Sequence, residues 1–105
     1  MKIKAGANLQ GLDIRVRPIL VEAEKIWLSL GQELVVTCGL DGTHSAGSLH
    51  YYGLAVDLRI NYFTDEEKEI VAHALRNALK KIDKRFDVYL HSTHIHGEYD
   101  VIKKI

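Results

Sequence analysis

Four residues of types that commonly bind zinc fall into two short segments of this 105-residue chain. They are His50, Asp57, His94 and His96. A histidine and a carboxylate seven residues apart, followed by a His-x-His pair, can supply three ligands to a tetrahedral ion. Three protein ligands leave the fourth position open, as in catalytic rather than structural zinc sites. The spacing therefore predicts a catalytic Zn²⁺ site whose third ligand is one histidine of the pair.

The composition restricts the other functions that the chain could have. Fourteen basic and fourteen acidic side chains cancel, so no overall charge favours nucleic acid or an anionic membrane surface. Cys38 is the only cysteine, which excludes an internal disulfide and leaves His, Asp and Glu as metal ligands. No apolar run reaches the roughly 18 residues of a membrane span, and no signal peptide is visible. We expect one domain over residues 1–105, made in the cytoplasm and not inserted in a membrane.

Apolar residues at helical spacing predict two helices. The first is expected at about 17–30, because Pro18 suits a first helical turn. The second is expected at about 65–82, because Thr64 and Glu67 form a capping box. Its predicted buried stripe consists of Ile70, Val71, Ala74, Leu75, Ala78, Leu79 and Ile82.

Strands account for the remaining periodic segments. They are expected at residues 33–38, 54–60, 86–90 and 93–99, the last two as a possible hairpin. Alternation places Asp57 away from its apolar neighbours, and it places His94, His96 and Glu98 on one face of the last strand. If these two strands are neighbours, facing side chains lie about 5 Å apart at Cβ, within reach of one ion. The element order predicts an α+β domain with a small, mostly antiparallel sheet and helices packed on it.

The segment that contains His50 and Asp57 matches a known signature. Ser48, His50, Gly53, Ala55 and Asp57 occupy the fixed positions of Ser-x-His-x-x-Gly-x-Ala-x-Asp. In this respect the chain resembles the zinc peptidases of the D-alanyl-D-alanine carboxypeptidase family, which share a fold with the hedgehog signalling domain. With Thr93–Asp100 included, it looks most like small phage and prophage members, over roughly residues 33 to 100.

The resemblance implies zinc-dependent hydrolysis of a peptide bond in peptidoglycan cross-links or stem peptides, at the bacterial cell wall after release. His50, Asp57 and His96 are then the expected zinc ligands, with His94 as the alternative to His96. The metal would polarise the scissile carbonyl and acidify a bound water, which acts as the nucleophile.

The position of the general base departs from the family pattern. Family members have a carboxylate three residues before the last histidine ligand. That position is Thr93 if His96 binds zinc, or His91 if His94 does. Because an imidazole can take a proton near neutral pH and a threonine cannot, His91 and His94 are the expected catalytic residues.

The residues that would contact substrate also depart from the pattern. Many carboxypeptidase members have an arginine before the His-Asp motif that holds the substrate carboxylate, and residues 39–42 contain none. His44 and Ser48 are therefore the expected substrate contacts, in preference to Arg59. Endopeptidase and carboxypeptidase action both stay open, and the missing carboxylate base leaves a second function open. That alternative is a catalytically silent, zinc-containing binding or structural module of a phage or prophage on the same fold.

Overall fold

A mixed five-stranded sheet carries two helices. The computed structural model describes residues 1–39 and 49–103, with only the backbone of residues 50 and 51. The described elements are β1 (Lys2–Ile3), α1 (Arg17–Ser29), β2 (Val35–Cys38), β3 (Ala55–Arg59), α2 (Asp65–Ile82), β4 (Phe86–Leu90) and β5 (His94–Tyr99), with 3-10 helices at Ile14–Val16 and Leu49–Tyr52. The predicted α+β class is confirmed, and so are both helices and four of the strands.

In the strand order β3 lies at the centre of the sheet, and β5 lies between β3 and β4. The order is β1-β2-β3-β5-β4, with β1 parallel to β2 and the other three pairings antiparallel. The predicted hairpin joins β4 to β5 and closes with a hydrogen bond from the amide of His91 to the carbonyl of His94, 2.9 Å long. Two residues are too short a run to show alternation, so β1 could not be predicted. It is held by backbone bonds to its neighbours, such as Lys2 N to Leu34 O at 2.7 Å.

The core lies between the helices and one face of the sheet. Val56 and Leu58 of β3 and Ile95 of β5 are fully buried there, together with Trp27 of α1 and Leu75 of α2. The residues that alternate with these on β3 and β5 therefore point away from the helices.

Gly97 allows α1 to lie close to β5. A Cβ built on this glycine would lie 2.9 Å from Cγ2 of Ile19 in α1, closer than such contacts normally occur. The glycine that follows His96 therefore serves packing on the helix side of the sheet. The histidine next to it faces the other side.

The capping box of α2 is confirmed, but its buried stripe differs from the prediction. Val71, Leu75 and Leu79 are buried, whereas Ile70 and Ile82 are 52% and 54% exposed. Ile70 is exposed because the buried side of α2 is rotated about the helix axis relative to the predicted stripe. The buried side includes Ala72 in place of Ile70. Ile82 has a suitable angle, but it is the last residue of the helix and lies at the edge of the core. No helix in the described part of the chain is long and apolar enough to cross a membrane.

Candidate metal centre

The side of the sheet that faces away from the helices is polar, and we call it the polar face. On β3, β5 and β4 it carries Asp57, Arg59, His94, His96, Glu98, Asp87 and Tyr89. The antiparallel register of β3 and β5 sets Asp57 directly opposite His96 and Arg59 opposite His94. Neighbouring strands thus bring two of the three predicted ligands, Asp57 and His96, together, as the predicted alternation required.

The imidazole of His96 lies between two carboxylates. Its Nδ1 is 3.1 Å from Oδ1 of Asp57, and its Nε2 is 2.8 Å from Oε1 of Glu98. The ring of Tyr89, opposite His96 on β4, lies 5.9 Å away between centroids. The side chain of His96 is 16% exposed, so these contacts are partly shielded from water. Both ring nitrogens are therefore fixed in direction before any ion binds.

These contacts determine the protonation of His96. Burial lowers the pKa of the ring, but the hydrogen bonds with Asp57 and Glu98 outweigh it and raise the pKa to about 9. With these partners the imidazole carries a proton at neutral pH and donates from both nitrogens. A metal ion that used His96 would have to displace one of those protons.

The two predicted catalytic histidines lie together at the hairpin between β4 and β5. The rings of His91 and His94 are stacked, with centroids 4.7 Å apart and planes 24° from parallel. Nδ1 of His94 is 3.1 Å from the hydroxyl oxygen of Thr93. His94 faces Arg59 in the register, so His96, and not His94, is the histidine that meets Asp57.

The backbone of His50 belongs to the 3-10 helix that immediately precedes β3. Gly53 ends this helix at φ +70°, a conformation that favours glycine, and a Cβ there would lie 2.7 Å from the carbonyl oxygen of Gly11. The chain therefore turns tightly at Gly53, just before β3. His44 and Ser48 lie outside the described residues, and so does the side chain of His50.

Glu98 is the residue of this centre that the motif did not indicate. The signal was available, because alternation along β5 places Glu98 on the same face as His96. What the sequence could not give was the direction of its carboxylate, which points at Nε2 of His96 instead of at solvent.

A separate group of carboxylates lies toward the ends of β4 and β5. Asp87, Glu98 and Asp100 have oxygens within 4.8 Å of one another, and no other three His, Cys, Asp or Glu side chains converge in this way among those that the structure describes, which do not include the side chain of His50. Oxygen ligands alone suit Ca²⁺ or Mg²⁺ better than zinc. Asp87 is also engaged by Lys80, at 3.0 Å, and by Lys103. This group gives no support to zinc, whose third ligand would have to come from outside the described side chains.

Comparison with known proteins does not assign this chain to a family. Neither a scan against protein-family models nor a search of curated proteins finds a match. Its function must therefore be inferred from the residues of the site and their geometry.

Proposed function

We propose that this chain is a zinc peptidase that hydrolyses a peptide bond in peptidoglycan, on a hedgehog or DD-carboxypeptidase type of fold. The observation that carries the proposal is the approach of Asp57 to His96 across β3 and β5. Asp57 ends the Ser-x-His-x-x-Gly-x-Ala-x-Asp segment, and His96 ends the His-x-His pair. The two motifs, which were identified independently in the sequence, are thus in contact through one side chain from each.

The donor atoms of this pair fit a shared zinc ion. Two ligand atoms that are each about 2.0–2.2 Å from a tetrahedral ion lie roughly 3.4 Å apart. Nδ1 of His96 and Oδ1 of Asp57 are 3.1 Å apart, so small side-chain adjustments would suffice. His50 is proposed as the third ligand, since its backbone precedes β3 by a few residues. When bound, the ion would supply a Lewis acid that polarises the scissile carbonyl and makes water a nucleophile near neutral pH.

Glu98 would then orient His96. Its carboxylate accepts from Nε2, which leaves Nδ1 as the nitrogen available toward Asp57. Histidine ligands of metals commonly donate their second ring N–H to a carboxylate, and this contact fixes the tautomer and makes the ligand nitrogen more basic. We therefore assign Glu98 a positioning role.

His94 is proposed to transfer the proton from the attacking water to the leaving amine. Its ring is stacked on the ring of His91. His94 lies on the polar face next to His96, at hydrogen-bond distance from the hydroxyl of Thr93. A neutral imidazole there can accept a proton from the attacking water and pass it to the leaving amine.

One observation favours a second function, the catalytically silent zinc module. Within the described residues, the carboxylate nearest His96 other than Asp57 is Glu98, and it is already hydrogen-bonded to the ring. It is therefore not free to act as the usual acidic base. Thr93, at the position of that base, cannot take a proton at neutral pH.

Metal content and hydrolysis test the two functions in sequence. Untagged protein is expected to contain about one zinc ion per chain. Asp57→Ala should lose this zinc. The matched control is Asp65→Ala, which removes an exposed carboxylate of α2 and should keep the zinc. Purified peptidoglycan should gain new amino termini with the wild type and none with Asp57→Ala. Zinc content below half an equivalent would count against both functions.

The variants His91→Glu and Thr93→Asp separate a peptidase from a silent module. If the wild type binds zinc but releases no amino termini, and one of these carboxylate variants does, the chain is a peptidase fold that has lost its base. His94→Ala should abolish hydrolysis with zinc retained. Full hydrolysis by His94→Ala would remove that residue from the mechanism.

A further inference from the structure

The turn between β4 and β5 lies between the two histidines whose rings are stacked. His91 precedes Ser92 and Thr93, and His94 follows them as the first residue of β5. A backbone hydrogen bond from the amide of His91 to the carbonyl of His94 closes the turn. Because His94 begins directly at the turn, a displacement of the turn would displace the ring that is proposed to transfer the proton.

The backbone of this turn is not of the kind that best suits a two-residue hairpin. The favoured turns of this length are types I′ and II′, whose twist matches that of the flanking strands and which need one or two residues with positive φ. Neither Ser92 nor Thr93 has a positive φ, and neither is a glycine. The turn therefore depends on contacts from outside the hairpin more than a type I′ turn would.

Two hydrogen bonds from other elements hold this turn. The amine of Lys68, near the start of α2, donates to the carbonyl of Ser92 over 3.0 Å. The amide of Ile60, directly after β3, donates to the carbonyl of Thr93 over 3.4 Å. The bond from Lys68 is shorter and its donor is charged, and charge-assisted hydrogen bonds are about twice as strong as neutral ones. Lys68 is therefore the main support of the turn.

Lys68 reaches the turn across an open gap. A pocket of about 320 Å³ separates the start of α2 from the turn, and it is lined by Asp65, Lys68, Glu69, Leu90, His91 and Ser92. No other side chain in residues 1–39 and 49–103 donates a hydrogen bond to the backbone of residues 91–93. The side chain of Lys68 is 19% exposed, whereas that of Asp65, 3.8 Å from the amine, is fully exposed. The amine of Lys68 is thus directed at the turn and not at solvent.

We propose that Lys68 is a positioning residue for the proposed peptidase, because its bond to the carbonyl of Ser92 fixes the turn and thereby the place of His94 on the polar face. The inference rests on the proposed function and adds to it a residue of α2, outside the sheet that carries Asp57 and His96. A displacement of a reacting group by about 1 Å can lower a rate about a hundredfold. The rate of proton transfer should therefore depend on Lys68, whereas the binding of zinc and substrate should not.

The first measurement compares three variants of the full-length, zinc-loaded protein. Lys68→Met keeps a long side chain but removes the donor, Lys68→Arg keeps a charged donor, and Lys81→Met is the matched control at an exposed position of the same helix. With solubilised peptidoglycan as substrate, we expect Lys68→Met to lower kcat by about ten- to a hundredfold, with KM and zinc content unchanged. Lys68→Arg should recover most of this loss, and Lys81→Met should behave as the wild type. Hydrogen exchange of the His91 amide should be about tenfold faster in Lys68→Met, as loss of one charge-assisted hydrogen bond would give.

A change in the turn itself tests the same bond without reference to hydrolysis. Ser92→Asn together with Thr93→Gly gives the turn the Asn-Gly sequence that type I′ favours, so that it needs less support from α2. Adding Lys68→Met to these two substitutions should then speed exchange of the His91 amide by less than about threefold, because the two supports are coupled. Should Lys68→Met not fold, Lys68→Gln takes its place in both measurements.

Three results would overturn the positioning role. Exchange of the His91 amide at the wild-type rate in Lys68→Met would show that the bond does not hold the turn. An unchanged kcat despite faster exchange would show that the turn does not position His94 for the reaction, and would leave the peptidase proposal standing. A lower kcat accompanied by loss of zinc would make Lys68 a residue of general stability. If the wild type itself binds no zinc or hydrolyses no peptide bond, the proposed function is wrong and the positioning role is rejected with it.

Discussion

Replacement of Glu98 should weaken zinc binding without removing any proposed ligand. The Nε2 of His96 donates to Glu98 over 2.8 Å, in a contact whose two side chains are each 16% exposed. Removing such a partner of a metal-bound histidine typically lowers metal affinity 10- to 100-fold, or about 1.4–2.7 kcal/mol. Glu98→Gln keeps an acceptor oxygen but loses the charge, so we expect about tenfold. Glu98→Ala loses both, and we expect a loss nearer a hundredfold.

Proton competition makes this effect depend on pH. Because Glu98 also helps to raise the pKa of His96 to about 9, it favours the proton that zinc must displace. At pH 7 the variants therefore regain part of the lost affinity, since His96 gives up its proton more easily. The expected loss is larger at pH 8.5 than at pH 7.

The assay is competitive titration against a chromophoric zinc chelator at both pH values. Asp100→Asn is the matched control, because Asp100 belongs to the same group of carboxylates but has no contact with His96 among its described hydrogen bonds. Nitrogen NMR of the zinc-loaded wild type should show His96 protonated at Nε2. If both Glu98 variants bind zinc as tightly as Asp100→Asn at pH 8.5, the positioning role is wrong.

Three further predictions concern the chain itself. In zinc-free protein, NMR of the imidazole ring should give His96 a pKa of about 9. Because this pKa is raised on folding, protonated His96 stabilises the fold fully below about pH 6.5, and the stabilisation is lost as the pH rises toward 9. Tm should therefore fall between about pH 6.5 and pH 9 in the wild type but not in His96→Gln. Gly97→Ala should lower the free energy of unfolding by about 1–3 kcal/mol in urea titrations, because its Cβ would lie 2.9 Å from Cγ2 of Ile19, and this loss should be smaller in an Ile19→Ala background, which lacks that methyl group. Thr64→Ala should cost about 1 kcal/mol by the same assay through loss of the capping bond to Glu67, and an unchanged midpoint would contradict that role.

Local rules were sufficient for the elements that depend on near neighbours in the chain. The bounds of α2 follow from Thr64, Glu67 and helical periodicity, and the structure places the helix at Asp65–Ile82 as predicted. The β4–β5 hairpin is also local. Alternation likewise assigned Asp57 and His96 to the polar side of their strands, because the side-chain period of a strand is fixed by the backbone.

Long-range pairing decided what alternation leaves open. Asp57 and His96 are 39 residues apart, and only the register of β3 against β5 determines that His96, rather than His94, faces Asp57. A shift by one pair of residues on the same face would have exchanged the two histidines without changing the polarity of either face, so the pattern could not distinguish them. The same register brings Arg59 beside the centre.

The sequence by itself determined the residue types of the centre, the strands that carry them and the face on which they lie. Tertiary structure decided which histidine meets the aspartate, that Glu98 holds the other nitrogen of that histidine, and that Lys68 of α2 reaches the turn before β5. The physical reason is that periodicity is a property of one segment. Contact between segments depends on which strands pair and in which register, and the whole core contributes to that choice.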